Sequence, residues 1–325
     1  MKRGIILVFS LVFMSFSFWG DQTLLGRDYP ENAVDIIVPY NPGGGNDLTA
    51  RLLSTYFGKT IGLRLNVINK VGGAGTIGLQ AALTAKADGY TLLMDTHGIG
   101  SMIAFYSGKY PIDWRDRTWI ARIVEEPMVY VTRVDAPWKN LKELAAAILK
   151  SPKEIRWGVT GLSGSSYATG VQFFNATNIP IDSVNIVMFQ GNPEVVAALA
   201  GGHIDAASVQ YSQSVSMVRG GKIRAIAAAG EKRLPLFPEA PSAAEQGYPM
   251  LNISGYQGMA GPPGLSKDVV DFWVKALEKA SKDPEFIKQA ENLKQIVSFL
   301  GPKDYQSFVE KQYNQYVELS KAAAK

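Results

Sequence analysis

Two glycine-rich stretches near the start of the chain constrain its fold more than any other feature. They are Pro39-Tyr40-Asn41-Pro42-Gly43-Gly44-Gly45-Asn46-Asp47 and Gly72-Gly73-Ala74-Gly75-Thr76-Ile77-Gly78. Each follows an apolar, strand-like run, Val34 to Val38 and Leu63 to Ile68, and each leads into residues with apolar positions at helical spacing. A strand that turns into a helix through glycine brings backbone N–H groups to the helix start without a Cβ in the way. Such a start favours an anion, because its first N–H groups have no helical partner and sit at the positive end of the helix dipole. Asp47 stands before Leu48, Ala50, Leu52, Leu53 and Phe57, where it can cap the first turn or touch a ligand.

The alternation continues along the chain. Thr76 to Lys86 reads as a helix, Asp88-Gly89 as a turn and Thr91 to Met94 as a third strand, so the chain opens as β-α-β-α-β. Met128 to Thr132, Ile155 to Val159, Val184 to Phe189, Asp205 to Val209 and Ile223 to Ala228 read as further strands. Helices over 141–149, 193–200 and 212–219 are expected between them. Ile155 to Val159 opens onto Thr160-Gly161-Leu162-Ser163-Gly164-Ser165-Ser166, a third donor-rich helix start that also carries hydroxyls. Gly255 to Gly261 is expected to return the chain as a strand, and the remainder to be mostly helical. This order predicts an α/β fold with largely parallel sheets and sites at the carboxyl ends of the strands. A chain of 325 residues exceeds the size at which one core stops growing, so two lobes are expected.

Lys2 and Arg3 precede an uncharged apolar run from Ile5 to Trp19, the pattern of a secretory leader over residues 1–20 and too short for a membrane span of about 20 residues. The chain has no cysteine, which excludes disulfides, thiol catalysis, cysteine-ligated metals and a lipidated N-terminal cysteine. The formal net charge of +4 includes Lys2 and Arg3 and falls to +2 without them, and the basic residues are dispersed, so nucleic acid is not an expected partner.

Three catalytic readings compete for the same residues. Gly73-x-Gly75-x-x-Gly78 matches the dinucleotide fingerprint, with Asp95 where a ribose-binding acid belongs, but Asn69 to Gly72 intervene where a tight turn is needed. Ser163 lies in Gly161-Leu162-Ser163-Gly164-Ser165, which lacks the second glycine of a nucleophile elbow. His97 and His203 are the only histidines and have no pairing that would hold zinc. His203 reads as a turn residue; His97, in Asp95-Thr96-His97-Gly98, either donates to a ligand or fills a loop.

These residues resemble the Bug, or TctC-like, family of extracytoplasmic solute receptors of tripartite tricarboxylate transporters. The likeness runs through Ile36 to Tyr40, Gly43 to Arg51, Asn69-Lys70, Gly72 to Gly78 and Asp88 to Leu93. It continues through Gly161 to Ser165, Ala197 to Asp205, Gly221 to Ala227, Pro241 to Gly247 and Ala260 to Gly264. The resemblance implies a type II-like, two-lobed periplasmic-binding-protein fold with a mostly parallel central sheet in each lobe and a hinge between them. The first lobe would comprise residues 28–130 and 255–325 and the second residues 131–254, with hinge segments near 127–134 and 250–257. It also implies that a ligand carboxylate is held mainly by main-chain donors and ordered water. Carried over by position, the ligand-binding residues are Tyr40, Gly44, Asn46, Asp47, Gly75, Thr76, Thr96, His97, Ser163, Ser165, Ser166 and Asp205.

The implied protein is a periplasmic monomer that binds a small carboxylate, needs no cofactor or metal, performs no chemistry and delivers its ligand to a permease. The competing readings are a secreted hydrolase, a nicotinamide-dependent oxidoreductase, and a sensor subunit for a membrane kinase. Phe189-Gln190-Gly191-Asn192 replaces the family's usual Tyr-Lys-Gly-Gly, Val71, Thr76 and Tyr256 replace a common proline, asparagine and tryptophan, and Gly73-Ala74 reverses the common order. These departures leave the distal part of the pocket unassigned.

Overall fold

In the computed structural model, residues 29–105 and 113–323 are described. The expected leader, residues 1–20, lies outside them. The chain runs β1 (Val34–Val38), α1 (Gly45–Ile61), β2 (Leu65–Asn69), α2 (Thr76–Leu83), β3 (Thr91–Thr96), α3 (His97–Phe105) and β4 (Thr118–Arg133). It continues α4 (Leu141–Lys150), β5 (Arg156–Val159), α5 (Ser165–Ala176), β6 (Asn185–Met188), α6 (Asn192–Ala200), β7 (Ala206–Gln210), α7 (Tyr211–Arg219) and β8 (Ile223–Ala228). It closes with β9 (Ser254–Gly261), α8 (Lys267–Lys282), α9 (Pro284–Asn292), β10 (Ile296–Leu300) and α10 (Pro302–Ala323).

The strands are hydrogen-bonded in the order β2-β1-β3-β9-β4-β7-β5-β6, with β10 and β8 also paired to β4. The wound parts are parallel as expected, β1 with β2 and β3, and β5 with β6 and β7. The expectation of mostly parallel sheets needs correction, because β4 and β9 enter antiparallel and give each half a mixed sheet. β4 is 16 residues long and serves both halves. Thr118 to Pro127 pair with β9, whereas Met128 to Thr132 pair with β7 and Val129 to Arg133 with β8.

Successive side chains on a strand face opposite sides, and where both sides are covered by helices both must be apolar. Ile36 packs with Leu53, Phe57 and Trp273 on one side of the first sheet, while Ile37 packs with Leu79, Ile99 and Tyr305 on the other. Tyr130 joins Trp157 and Phe173 on one side of the second sheet, and Val129 and Val131 join Val195, Leu199 and Val209 on the other. Each such side chain contributes roughly 1.5–3 kcal/mol by leaving water. α8 shows how sequence sets a helix against this core: Val269, Trp273, Leu277 and Ala280 recur on one face and are buried. The last helix spans both halves, since Tyr305 and Val309 belong to the core of the first sheet and Tyr316 and Leu319 to that of the second.

Candidate functional site

Parallel strands deliver their carboxyl ends to one edge, so β1, β2 and β3 of one half, and β5, β6 and β7 of the other, each release a helix there. The residues that begin these helices share a property. Gly44, Gly75, Gly164 and Gly191 are the N-caps of α1, α2, α5 and α6, and none supplies a side-chain cap. In α1 the N–H groups of Gly45, Asn46 and Asp47 precede the first helical bond, from Leu48 N–H to Gly44 O at 2.9 Å. In α5, Ser165, Ser166 and Tyr167 precede Ala168 N–H to Gly164 O at 3.1 Å. Both halves therefore offer unfilled donors at positive helix ends.

The side chains around these starts build the loops. The Tyr40 hydroxyl donates to Ala74 O at 3.1 Å, and a Cβ on Gly75 or Gly98 would lie 3.0 or 2.6 Å from the Tyr40 hydroxyl oxygen. Glycine at those positions lets one ring join the first loop, the second loop and α3. Burial pushes the Tyr40 hydroxyl pKa up, so it stays a neutral donor. The Asp47 carboxylate accepts from Gly43 N–H at 2.9 Å, Arg51 Nε at 2.8 Å and Asn69 Nδ2 at 3.0 Å. Burial alone would raise its pKa, but these donors hold it below the usual carboxylate range. The Thr76 hydroxyl and N–H both donate to Gly73 O within its own loop. Asp47 and Thr76, expected to contact ligand, thus have their polar side-chain atoms engaged within the loops, and their role is to shape them. Asn46 Nδ2 donates to Met94 O at 3.0 Å while its Oδ1 is buried without a partner.

The third strand does not end in a loop. α3 begins directly at His97, placing Thr96 and His97 where the two halves meet. Tyr256 N–H donates to His97 Nδ1 at 3.2 Å, and the Gln210 side-chain amide lies 3.1 Å from Nε2. Burial pushes the imidazole pKa down to about 4, so the ring is neutral at ordinary pH. Thr96 Oγ1 lies 3.3 Å from the same Nδ1. Two further bonds join the halves: Ser101 Oγ donates to Ser163 O at 2.7 Å, and Ser212 N–H, at the start of α7, donates to Glu126 Oε1 at 2.8 Å. Asp95 is not a ribose acid, because its fully buried carboxylate pairs with Arg117 at 2.6 Å and accepts from the Tyr305 hydroxyl at 2.6 Å.

In the second half, Ser163 and Ser165 flank Gly164 at the start of α5, with Ser165 buried. Ser166 Oγ accepts from Thr160 N–H at 2.8 Å and meets Thr160 Oγ1 at 2.7 Å, closing its own turn. Asp205 is a correction. It sits just before β7, about 16 Å by strand rise from Gln210 and so at the opposite edge of the sheet from the helix starts. Arg156 Nε and N–H donate to it at 2.8 and 2.9 Å, and Arg133 pairs with it at 3.1 Å. Burial would raise its pKa, yet Arg156 and Arg133 hold it below the usual range. It ties β5 to the turn before β7.

Sequence reasoning passed over Glu126, Gln210, Ser212 and Gln257, which bear no motif. Glu126 Oε2, Ser212 Oγ, Gln257 Oε1 and Asn192 Oδ1 are buried and lack a well-aligned hydrogen bond, with Glu126 lying against both Ser212 and Gln257. Among the described residues, no group of three acidic or histidine side chains is placed to hold a metal.

Two mixed sheets sharing one long strand, with helix starts of both halves facing one interval, define a solute-binding receptor of the two-lobed periplasmic kind. The profile of the tripartite tricarboxylate transporter family receptor matches residues 49–324, and the chain belongs to that family. It is similar to the protein BugT of Bordetella pertussis, with 27% identity over 74% of each chain. Among solved structures it is similar to the periplasmic binding protein BugD, with 30% identity, a TM-score of 0.74 and coverage of 91% of this chain and 99% of that one. The fold is shared with MatC of Rhodopseudomonas palustris, solved with bound malate, at 23% identity, a TM-score of 0.76 and coverage of 90% and 100%.

Proposed function

We propose that this protein is an extracytoplasmic receptor that captures a small carboxylate between its two halves and delivers it to the membrane subunits of a tripartite tricarboxylate transporter. The observation that carries the reading is the convergence of glycine-capped helix starts from both sheets on one interval. Each charge-assisted bond from such a donor contributes about 1.5–3 kcal/mol, so a few of them suffice for tight capture. Membership of the receptor family and the malate bound to MatC support the same ligand class.

The proposal includes a first lobe of residues 28–130 and 255–325 and a second of 131–254, closing about β4 and the return into β9. The change of partners along β4 between Pro127 and Met128 supports this division. It also includes export by the apolar leader, action as a monomer, and capture without chemical change of the ligand.

The test is thermal unfolding of residues 21–325 with mono-, di- and tricarboxylates, amino acids and nicotinamides. A ligand at about 100 times its dissociation constant adds roughly 2.7 kcal/mol of stability, which raises the midpoint measurably. A shift confined to a subset of carboxylates upholds the reading. A shift with NAD and none with any carboxylate overturns it.

A further inference from the structure

The hydrogen-bond chain that crosses between the halves has a direction, and Tyr256 sets it. His97 Nδ1 lies 3.2 Å from Tyr256 N and 3.5 Å from Tyr256 O; the shorter contact is with a main-chain N–H that cannot turn away, which assigns Nδ1 as the unprotonated nitrogen. The neutral ring then carries its proton on Nε2, which faces the Gln210 side-chain amide at 3.1 Å. An amide has the same shape when turned by 180°, and the surrounding network decides which end is oxygen. Nε2–H needs an acceptor, so Gln210 presents Oε1 to it and its NH2 to Asn192, whose amide is 3.1 Å away. Asn192 must then accept with its oxygen. The end of Asn192 left buried and without a partner is accordingly its NH2. Either orientation leaves one buried end of Asn192 unpaired, and the opposite one would in addition set Gln210 NH2 against Nε2–H, donor facing donor.

Asn192 is the first residue of α6, whose N-cap is Gly191, so this NH2 lies at a positive helix end facing the same interval as the other starts. We propose that Asn192 is a ligand-contacting, specificity-determining residue that donates to a carboxylate oxygen, and that His97 and Gln210 are positioning residues that hold it as a donor. The inference rests on the carboxylate-receptor reading. The relay has no proton to lose at ordinary pH: burial keeps the ring neutral down to about pH 4. The donor therefore persists wherever the ligand is ionised.

The experiment combines titration calorimetry of L-malate, adipate and citrate against the unaltered protein, Asn192→Ala and Asn192→Asp with nitrogen-15 NMR of the His97 ring in the unaltered protein. The expected results are an Nε2–H ring, about tenfold weaker binding in Asn192→Ala, and at least thirtyfold weaker binding in Asn192→Asp, which keeps the shape but offers only acceptors. A merely structural Asn192 would tolerate aspartate better than alanine, and that order overturns the proposal. An Nδ1–H ring overturns the relay. If none of the three acids binds the unaltered protein, the contact assigned to Asn192 is overturned for these acids while the receptor reading is decided by the wider thermal panel, and the ring tautomer alone upholds or overturns the relay.

Discussion

Two sets of helix starts in this molecule are built differently. α4, α8 and α9, away from the interval between the halves, begin with Asn140, Ser266 and Asp283, whose side chains accept from Glu143, Val269 and Glu285 N–H. α1, α2, α5 and α6 begin with glycine and leave that role open. Exchanging a good capping residue for glycine costs only a few tenths of a kcal/mol. For that small loss of helix stability, the glycines of α1 and α5 leave their first main-chain donors free, whereas in α2 the Gly75 and Thr76 N–H groups are already taken by Gly72 O and Gly73 O. The peripheral starts are closed by their own side chains, and the inner ones are not.

The strongest way to break this contrast is to give an inner start the cap of an outer one. Gly44 has extended φ and ψ of −76° and 166°, and its added Cβ would meet only Asn41 O at 3.5 Å, so Gly44→Asp fits without strain. Calorimetry should find carboxylate binding weakened at least a thousandfold, roughly 4 kcal/mol, while the ligand-free melting point holds or rises slightly. Undiminished binding would show that α1 receives no ligand.

α7 sharpens the contrast, because its start is served by a side chain from another strand, Glu126. Burial raises the Glu126 pKa from 4.5 to about 7. The folded protein therefore holds a proton that the unfolded chain has lost, and stability should fall as pH rises from about 4.5 to 7, by on the order of 3 kcal/mol. In Glu126→Gln this part of the slope should vanish in denaturant titrations across that range; an unchanged slope would place its origin elsewhere.

Removing outer caps should affect folding alone. Ser266→Ala and Asn140→Ala are each expected to lower unfolding free energy by about 1 kcal/mol, with ligand affinity unchanged by calorimetry. The smallest effect is expected at Ala74, which holds φ of 54° in the second loop. Ala74→Gly should relieve the Cβ strain there and raise stability by about 0.5 kcal/mol in urea unfolding.

Much of the fold was legible because strand and helix periods are distinct, and the turns at Gly201-Gly202 and Gly220-Gly221 punctuate them. What escaped did so for physical reasons. The first part of β4 contains Arg122, Glu125, Glu126 and Pro127, and its burial is settled by distant partners such as Ser298 and Ser212. α3 carries Gly98 and Gly100, poor helix formers, and is stabilised by packing Ile99, Met102 and Ile103. β10 was hidden because Lys294, at φ of 62°, makes the turn where a glycine would have announced one. At the site, the glycine starts were readable because their chemistry lies in the main chain. Asp47 is engaged by Asn69, 22 residues away, as well as by its near neighbours Gly43 and Arg51, Asp205 by the distant Arg133 and Arg156, and Gln210 gains its place from His97, 113 residues away.

The strand shared by both sheets also limits how this protein can be divided. Cutting the chain at Met128 would leave Thr118 to Pro127 on a fragment without their partners β9 and β10, and would leave α10 on the other fragment, where Tyr305 and Val309 lose the core of the first sheet. The first half is completed only by the returning β9, β10 and α10, so it is not one contiguous stretch of chain. An exchange of halves between relatives would therefore have to rejoin β4 between Pro127 and Met128 and seat α10 on two new cores at once, whereas a substitution at a helix start disturbs neither.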